Sequence, residues 1–501
     1  MPKEMRREAR EYYDRKIASY PDAALRLFKR NIPKDISSLK KIHISGVCGK
    51  AMAPLAALLS WKGFTLSGSD EEIYPPMSDF IASLGIDFKK GYSGEHLVGV
   101  SAVVIGNVCG ANHPEAKYAR EHNVPTASLP EVIHDVFIKN AKSLVVAGTH
   151  GKTTTTGLLA HVFKDAGKDP GFMIGGVMQD GEESAAVGNG DYFIIEGDEY
   201  DTAYFDKAPK FLHYAPDIAV ITSLEFDHVD IYSTMQEYTD AFDFLVKEIP
   251  SDGALFLCGD HDEVKKLGVA ALCEVVTYGF NPENDITAKN IRVTDRGQYF
   301  ELFIKGELKG EFFITLPGNH NLLNALSVCG IAMREGITLE QLRHGLETFK
   351  GMKRRQEVVA EKGGITVIDD FAHHPTAVRE TISAIKGKYS ERRLVAFFEP
   401  RSNTSRRKIF EEDYGKAFAG AGLVFISTPA LRPGDNPLVF IDPDHVVETI
   451  RKDNIEAYAV CNADELLAKA LPLLKAGDVV LIMSNGAFDG IHTKLADALG
   501  S

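Results

Sequence analysis

Residues 143–154 read Ser143-Leu144-Val145-Val146-Ala147-Gly148-Thr149-His150-Gly151-Lys152-Thr153-Thr154. An apolar strand runs into a glycine-rich loop, and a helix-forming segment begins directly after it. Backbone N–H groups of such a loop can surround a polyphosphate, and the dipole of the helix N-terminus also favours negative charge. The spacing differs from G-x-x-x-x-G-K-[ST], because Val146 stands where the first glycine would be. We therefore interpret the segment as a shortened phosphate loop, with a short structural turn as the alternative.

Two acidic segments follow strands further along the chain, and together they predict a cation site. The first is Ile195-Glu196-Gly197-Asp198-Glu199-Tyr200-Asp201, and the second is Leu224-Glu225-Phe226-Asp227-His228-Val229-Asp230. In open α/β sheets, ligands bind at the edge where the strands end. Carboxylate oxygens suit Mg²⁺, and a neutral imidazole can supply one position. A solvated acidic loop is the alternative for either segment.

The surrounding pattern predicts an α/β protein of several domains, because 501 residues exceed the usual size of one domain. Residues 1–40 are rich in Lys, Arg and helix-forming residues, which predicts a charged, solvated helical extension, with an oligomer contact as the alternative. Parallel α/β units are expected at 41–141, 142–350 and 351–501. Turns at Asp295-Arg296-Gly297 and at Gly306 predict a small antiparallel sheet attached to the second unit.

The composition argues against several classes of function. Seventy acidic and 56 basic residues leave a formal net charge of −14, which disfavours nucleic acid and anionic membranes as partners. No apolar run approaches the ~18 residues of a membrane span, and the first residues lack the apolar core of a secretory signal. Six scattered cysteines without a C-x-x-C pair indicate reduced thiols. We expect a cytoplasmic protein, and a weak homo-oligomer is left open.

Five motifs occur in an order that resembles the Mur ligase family, the ATP-dependent amide-forming enzymes of peptidoglycan assembly. They are Gly-Thr-His-Gly-Lys-Thr-Thr at 148–154, Glu-Gly-Asp-Glu-Tyr-Asp at 196–201, Asp-His-Val-Asp at 227–230, Leu-Pro-Gly-Asn-His-Asn-Leu-Leu-Asn at 316–324 and Asp-Asp-Phe-Ala-His-His-Pro at 369–375. The resemblance implies an α/β architecture with a Rossmann-like N-terminal domain, a P-loop ATPase-like central domain and a Rossmann-like C-terminal domain. It also implies ATP and Mg²⁺ as cofactors, and an acyl-phosphate intermediate.

The resemblance implies a role for each residue that matches a family motif. The positions expected to contact ATP are Gly148, Thr149, His150, Gly151, Lys152, Thr153, Thr154, Asn321, Asn324, Arg355 and Asp370. Thr153, Glu196 and His228 are the expected metal ligands, and Glu196 and His228 would bind the two Mg²⁺ ions. The expected contacts to the UDP-sugar are Gly46, Val47, Cys48, Gly49, Ser69, Asp70 and Asn107, and those to a peptide are Arg401, Ser402, Asn403 and Asn485. The expected catalytic residues are Lys152, Arg355, His373 and His374, and which of the two histidines acts is left open.

Within the family, several stretches favour a branch that joins UDP-N-acetylmuramate to the ready-made tripeptide L-Ala-γ-D-Glu-meso-diaminopimelate in peptidoglycan recycling. They lie at 74–78, 199–207, 399–404 and 483–488. Arg406 and Arg407 are expected to add positive charge beside Arg401 for the peptide carboxylates. A biosynthetic ligase that adds L-alanine to the same nucleotide sugar is the alternative within the family. A nucleotide-binding switch protein without ligase activity is the alternative from another class.

Overall fold

The computed structural model of the protein describes residues 5–18, 31, 33, 35–73, 77–181, 183–431 and 435–500. Within them the chain forms successive α/β units, each an open sheet with helices packed on its faces. The signature stretch at 74–78 lies mostly outside the described residues, because 74–76 are not among them. Across the described ranges, no helix is both long enough and apolar enough to cross a membrane.

The first unit contains a sheet in the order β3-β2-β1-β4-β5, and the paired strands run parallel. Its strands are β1 (Lys41–Ser45), β2 (Thr65–Asp70), β3 (Asp87–Lys90), β4 (Ala102–Ile105) and β5 (Thr126–Ser128). After the N-terminal helix α1 (Arg7–Ala18), its helices are α2 (Met52–Trp61), α3 (Met77–Ser83), α4 (Pro114–Glu121) and α5 (Leu129–Ile133). Strand β4 is apolar and fully buried, as parallel strands covered on both faces require.

The second unit is built on one long sheet in the order β17-β16-β15-β14-β13-β12-β6-β9-β7-β8, beside a separate hairpin of β10 and β11. Its strands are β6 (Lys142–Ala147), β7 (Gly171–Met173), β8 (Ala185–Ala186), β9 (Tyr192–Glu196), β10 (Asp201–Ala203), β11 (Asp206–Pro209), β12 (Ile218–Ile221), β13 (Ala254–Cys258), β14 (Glu274–Gly279), β15 (Ile286–Thr294), β16 (Gly297–Ile304) and β17 (Glu307–Ile314). Its helices are α6 (Lys152–Asp165), α7 (Met235–Glu248), α8 (Asp262–Leu267), α9 (Asn319–Arg334) and α10 (Leu339–Thr348). The expected antiparallel strands are β15 to β17, and they extend this same sheet through the parallel pairing of β14 with β15.

The third unit contains a sheet in the order β18-β19-β23-β20-β21-β22, in which only the edge strand β18 is antiparallel among the described pairs. Its strands are β18 (Glu357–Lys362), β19 (Ile365–Asp370), β20 (Leu394–Phe398), β21 (Leu423–Ser427), β22 (Glu456–Val460) and β23 (Val479–Met483). Its helices are α11 (Pro375–Lys388), α12 (Glu411–Ala417), α13 (Pro443–Arg451), α14 (Ala463–Ala470) and α15 (Ile491–Gly500). Pro375 occupies the first turn of α11, where a missing N–H costs nothing.

The apolar core of the first unit continues into that of the second. Buried side chains of both units form one cluster, in which the rings of Phe137 and Phe193 lie 5.6 Å apart. The third unit has its own core, with Phe398 on one face of the sheet and Phe397 on the other. The first two units therefore share apolar packing that the third does not join.

Helix α1 packs on the second unit. Ala9 and Tyr13 are buried, and the ring of Tyr12 lies 5.3 Å from that of Phe244 in α7. The extension is therefore docked along one face over 7–18, whereas the sequence alone suggested a solvated helix. Residues 19–30, 32 and 34 of the same extension lie outside the described residues.

Strands β12, β6 and β9 are neighbours in the second sheet, which brings together the loops that follow them. The register pairs Ala147 with Ile221 and Val146 with Glu196. The glycine-rich loop therefore lies between the two acidic segments at the carboxyl edge of the sheet, where ligands bind in such folds. This confirms the expected meeting of the three motifs.

Candidate active site

The phosphate loop, residues 148–152, has a backbone that requires glycine at two positions. Gly148 and Gly151 have φ values of +122° and +83°, in the region that disfavours other residues. A Cβ on Gly151 would lie 2.5 Å from Asn324 Oδ1, and one on Gly148 would overlap the hydroxyl of Thr222. Helix α6 begins at Lys152, so its first N–H groups have no helical partner and face the loop. The loop therefore has the backbone of an anion site.

The segment after β12 holds this loop in place. The Thr149 hydroxyl donates to the carbonyl of Glu225 at 3.0 Å and accepts from the Glu225 N–H at 2.9 Å. The His150 N–H donates to Ser223 Oγ at 2.9 Å. Thr149, Thr153 and Thr154 are all buried. Thr149 contacts the backbone of the second acidic segment, and Lys152 and Thr153 contact carboxylates of the first.

Lys152, Glu199 and His228 form a buried charged cluster beside the loop. Lys152 Nζ lies 2.9 Å from Glu199 Oε1, and His228 Nε2 lies 2.8 Å from the same oxygen. Lys152 Nζ also donates to the Gly148 carbonyl at 2.6 Å. Burial disfavours the ammonium ion, but Glu199 and Glu196 outweigh it and raise the pKa of Lys152. The cluster therefore keeps a positive charge at the mouth of the anion site.

Thr153 and Glu196 form a second polar group at the same edge. The Thr153 hydroxyl donates to Glu196 Oε1 at 3.1 Å, and the Gly175 N–H donates to Glu196 Oε2 at 2.9 Å. Burial raises the pKa of Glu196 and Lys152 opposes that effect. A nearby cation would therefore stabilise the ionised carboxylate.

The donors at this edge fit a hard cation, as the sequence predicted. Glu199 Oε2 is buried and has no hydrogen-bond partner within the described part of the chain. Thr153 contacts Glu196, and Glu199 contacts His228, and each pair offers donors that Mg²⁺ accepts. Among the described residues, however, the carboxylates of Glu196 and Glu199 and the imidazole of His228 do not form one close group of ligand atoms. Glu199 was missing from the ligands expected from the sequence, although its acidic segment had been singled out.

Basic side chains from the first and third units converge on the ring of Phe371. The charged ends of Lys50, Arg354 and Arg355 lie 5.7, 5.2 and 4.8 Å from its centroid. Burial and the guanidinium groups of Arg354 and Arg401 lower the pKa of Lys50. Burial lowers the pKa of Arg355, and the carboxylates of Asp370 and Glu196 lie close enough to its guanidinium to oppose this effect. Because Glu196 lies at the edge that carries the phosphate loop, these positive charges lie at that edge as well.

The other expected nucleotide residues of the second and third units have structural partners. Asn324 lies against Gly151, and its Nδ2 is 3.4 Å from Asn321 Oδ1. Asp370 accepts from the N–H groups of Ala372 and Gln356 at 2.7 and 2.8 Å. Asp370 therefore holds the turn before α11 against the segment that links the second and third units.

The adjacent histidines of the third unit point to different partners. His373 Nδ1 is 3.0 Å from the carbonyl of Phe371, whereas His374 Nδ1 is 3.3 Å from Glu225 Oε2. Burial lowers the pKa of both, that of His374 to about 4, so both imidazoles are neutral near pH 7.

The first-domain loop, residues 46–50, also follows a parallel strand. The N–H groups of Gly46 and Val47 donate to the Ser69 carbonyl, and the Cys48 N–H donates to Asp70 Oδ2 at 2.9 Å. The side chain of Ser69 instead turns inward, where its hydroxyl donates to Glu115 Oε2 at 2.8 Å.

Two further expected residues connect the site to neighbouring units. Asn107 Nδ2 donates to Asp201 Oδ1 at 3.1 Å, which joins the first unit to the second. Gly49 instead shapes the first-domain loop itself, because a Cβ there would lie only 3.1 Å from the Gly46 carbonyl. These contacts place the first-domain loop beside the cleft.

The segment 401–404 reaches from the third unit to the charged cluster. Asn403 Nδ2 donates to Asp230 Oδ2 at 3.0 Å, and Thr404 Oγ1 accepts from the His228 N–H at 3.2 Å. The hydroxyl of Ser402 closes a local turn with Ser405. The Arg401 side chain is half exposed and lies over Gly486, next to Asn485.

The expectation for Arg406 was wrong. Arg406 is buried, and its Nη1 lies 2.5 Å from Asp435 Oδ2, so the pair is neutralised inside the third unit. Arg407 donates to the Asn403 carbonyl at 3.2 Å and therefore braces the turn. Of the three arginines, Arg401 is the most exposed in this described segment.

Three family profiles match the chain in order. They are the Mur ligase family catalytic domain over 41–139, the Mur ligase middle domain over 146–332, and the Mur ligase glutamate ligase domain over 354–486.

Curated relatives and a solved structure agree with these profiles. The UDP-N-acetylmuramate–L-alanyl-γ-D-glutamyl-meso-2,6-diaminoheptandioate ligase of Escherichia coli strain K12 is 36% identical over 92% of this chain and 98% of that protein. The UDP-N-acetylmuramate–L-alanine ligase of Geobacter sulfurreducens is 32% identical over 89% and 95%. The crystal structure of a murein peptide ligase from Psychrobacter arcticus is 31% identical over 92% and 99%, with a TM-score of 0.68. Since relatives at this identity are covered almost from end to end, and the profiles match all three units in order, the chain belongs to the Mur ligase family.

Proposed function

We propose that this chain is an ATP-dependent ligase that joins UDP-N-acetylmuramate to the tripeptide L-Ala-γ-D-Glu-meso-diaminopimelate. The observation that carries the proposal is the meeting of three elements: the phosphate loop, the cluster of Lys152, Glu199 and His228, and the segment 401–404. The identity to the Escherichia coli ligase supports the choice of acceptor and peptide.

The reaction has two chemical steps. A lactyl carboxylate oxygen of UDP-N-acetylmuramate attacks the γ-phosphorus of ATP, which forms an acyl phosphate and releases ADP. The amine of the tripeptide then attacks the acyl carbon, the C–O bond to phosphate breaks, and the amine loses a proton. Positioning and charge neutralisation dominate such phosphoryl transfer, so the protein needs no covalent nucleophile.

Each step has residues suited to it. Lys152 and the N–H groups of the phosphate loop would hold the phosphate oxygens, and Arg355 would neutralise charge from the third unit. Two Mg²⁺ ions, when bound, would supply further charge neutralisation; Thr153 and Glu196 would hold one, and Glu199 and His228 would hold the other. The neutral imidazole of His373 or His374 would accept the amine proton.

The proposal assigns one substrate to each unit. Residues 41–141 would bind the UDP-sugar through the first-domain loop, Asp70 and Asn107, whereas Ser69, which was expected to contribute, is buried with its hydroxyl turned to Glu115. Residues 142–350 would bind ATP, with Asn321 and Asn324 at the adenine end and Asp370 closing the site. Residues 351–501 would bind the tripeptide through Arg401, Ser402, Asn403 and Asn485, since a bidentate guanidinium suits a peptide with several carboxylates.

A direct comparison of amines tests the proposal. Purified protein, ATP, Mg²⁺ and UDP-N-acetylmuramate are incubated with either the tripeptide or L-alanine at matched concentration, and the amide product is measured by mass spectrometry. We expect a higher kcat/KM with the tripeptide. Preference for L-alanine would assign the biosynthetic reaction instead, and ATP hydrolysis without amide formation would favour the nucleotide-binding switch.

The Arg401→Ala variant tests the peptide site. Loss of a charged hydrogen bond should raise the KM for the tripeptide about tenfold and leave the KM for ATP within about twofold. Arg379→Ala is the matched control, because Arg379 is an exposed arginine on α11 that pairs with its neighbour Glu380. Equal changes in both KM values would contradict the assignment of Arg401.

A further inference from the structure

A group of potential metal ligands lies at the seam between the second and third units, apart from the Mg²⁺ donors. His150 Nε2 and His374 Nδ1 each lie 3.3 Å from Glu225 Oε2. The three ligand atoms lie within 4.8 Å of one another, and the two imidazole rings are 4.8 Å apart. They come from three separate elements: the phosphate loop, the segment after β12 and the turn before α11.

His374 lacks the partners that a buried imidazole normally has. It is 6% exposed, yet neither ring nitrogen makes a hydrogen bond to any residue that the structure describes. Its Nδ1 is directed at Glu225, although the angle is too poor for a hydrogen bond. A buried imidazole without partners costs free energy, and a ligand between the three side chains would remove that cost.

The distances from Glu225 Oε2 to the two imidazole nitrogens match the spacing of ligands around a tetrahedral metal ion. Two ligand atoms about 2.1 Å from one zinc ion, at the tetrahedral angle, lie about 3.4 Å apart. Two imidazoles and one carboxylate are also the donors that zinc and similar ions prefer over Mg²⁺. The side chains of His150 and Glu225 are 23% and 29% exposed, so an ion and a water ligand can enter from the cleft.

We propose that His150, Glu225 and His374 bind a divalent transition-metal ion such as Zn²⁺ at this seam. The neutral form of His374 and the ionised form of Glu225 are the forms that coordinate metals, and their pKa values of about 4 and about 2 agree with this. Because the ligands belong to two units, the bound ion links the second unit to the third. With a metal ion on His374, His373 alone would accept the amine proton in the proposed reaction, and metal binding itself is measured without turnover.

A second group of two histidines and one carboxylate, among the described residues, contains no buried imidazole without hydrogen-bond partners. His43, His96 and Glu115 lie within the first unit and also have ligand atoms within 4.8 Å of one another. There both nitrogens of His43 contact serine hydroxyls, and Glu115 accepts from Ser45. This group is satisfied without a metal and therefore provides a matched control.

Co²⁺ binding tests the proposal, because tetrahedral Co²⁺ has visible absorption bands. The nucleotide-free full-length protein is titrated with Co²⁺ in millimolar Mg²⁺, which occupies the oxygen-rich site. We expect one tetrahedral Co²⁺ per chain, displaced by Zn²⁺. His374→Ala and Glu225→Gln should each weaken Co²⁺ binding by about tenfold or more.

Control variants separate this site from the other two. His96→Ala and His228→Ala should retain the absorption bands, and circular dichroism verifies that each variant is folded. Loss of the bands in His228→Ala would place Co²⁺ in the Mg²⁺ site, and loss in His96→Ala would place it in the first unit. Either result, or no tetrahedral band in the wild type, would overturn the proposal.

Thermal unfolding supplies a readout that does not depend on a spectrum. Zn²⁺ should raise the Tm of the wild type and of His96→Ala, since an ion that binds only the folded chain stabilises it. The same Zn²⁺ should leave the Tm of His374→Ala and Glu225→Gln unchanged. Equal stabilisation of all four proteins would contradict a site at the seam.

Discussion

The molecule contains two glycine-rich loops that follow parallel strands, and their surroundings differ. The phosphate loop ends at Lys152, whose ammonium is buried against Glu199. The first-domain loop ends at Lys50, which is exposed and lies near Arg354 and Arg401. The first-domain loop is instead held in place by Asp70, whose carboxylate accepts a hydrogen bond from the Cys48 N–H.

This difference indicates that the chemistry of a glycine-rich loop depends on the side chains at the ends of the neighbouring strands. Beside the phosphate loop, β9 and β12 supply Glu199 and His228 at the ligand edge. Beneath the first-domain loop, the buried carboxylate of Glu115 faces the hydroxyls of Ser45 and Ser69, inside the unit. We therefore expect the phosphate loop to stabilise the charge that shifts during phosphoryl transfer. We expect the first-domain loop to bind a part of the substrate that does not react.

Lys152→Ala should give the largest effect. The lost ammonium balances charge that develops during phosphoryl transfer, so kcat should fall about 10²–10³-fold. Steady-state kinetics measure the loss, and circular dichroism checks the fold. Lys164→Ala is the matched control, since Lys164 lies on the same helix with an exposed side chain. Near-normal turnover of Lys152→Ala would mean that this loop is not the ATP site.

Glu199→Gln should give the next largest effect, and it tests whether the acidic cluster belongs to the metal site. The Mg²⁺ concentration for half-maximal activity should rise about 10–100-fold, because the change removes one donor charge and the orientation of His228. Asp201→Asn is the control, since Asp201 pairs with Lys207. A uniform loss of rate at every Mg²⁺ concentration would remove Glu199 from the metal site.

Local patterns predicted the elements of the phosphate loop closely. The strand and helix around it are β6 and α6, and the loop between them contains the two glycines with positive φ. Apolar runs at 365–368, 393–398, 422–427 and 478–483 also predict buried parallel strands, and these correspond to β19, β20, β21 and β23. The short hairpin of β10 and β11 was missed, since three or four residues contain too little alternation to identify a strand.

The sequence did not predict which individual side chains of distant segments contact each other. Glu199 and His228 are 29 residues apart, and they meet because β9 and β12 flank β6. Arg406 and Asp435 are also 29 residues apart, and their pairing removes Arg406 from the peptide site. Strand order and ion pairing depend on tertiary packing. Composition and spacing therefore identify candidate site residues, but they do not predict which residues those side chains contact.

Glu115, which lies beneath the first-domain loop, should make a smaller contribution, and this contribution to the free energy of unfolding should depend on pH. Burial disfavours the charged form of Glu115, but hydrogen bonds from His43 and Ser45 outweigh it and lower its pKa from 4.5 to about 2. A carboxylate with a lowered pKa stabilises the fold above its unfolded pKa, and that contribution is lost as the pH falls.

Urea unfolding measures this contribution. Between pH 6 and pH 4 the wild type should lose about 1 kcal/mol more unfolding free energy than Glu115→Gln. The fluorescence of Trp61, the single tryptophan, reports on the first unit. Equal losses in both proteins would mean that folding does not lower the pKa of Glu115.

Lys50→Ala should give the smallest effect, and it is the direct counterpart of Lys152→Ala. The Lys50 side chain is exposed over much of its length, but its ammonium is partly desolvated and is repelled by Arg354 and Arg401, so its attraction for a diphosphate is partly cancelled. The KM for UDP-N-acetylmuramate should rise about threefold, with kcat and the KM for ATP within about twofold, because an exposed charge contributes less than about 1 kcal/mol. Steady-state kinetics with each substrate varied in turn separate these constants. A fall in kcat as large as that of Lys152→Ala would mean that both loops act on the moving charge, and the distinction between them would fail.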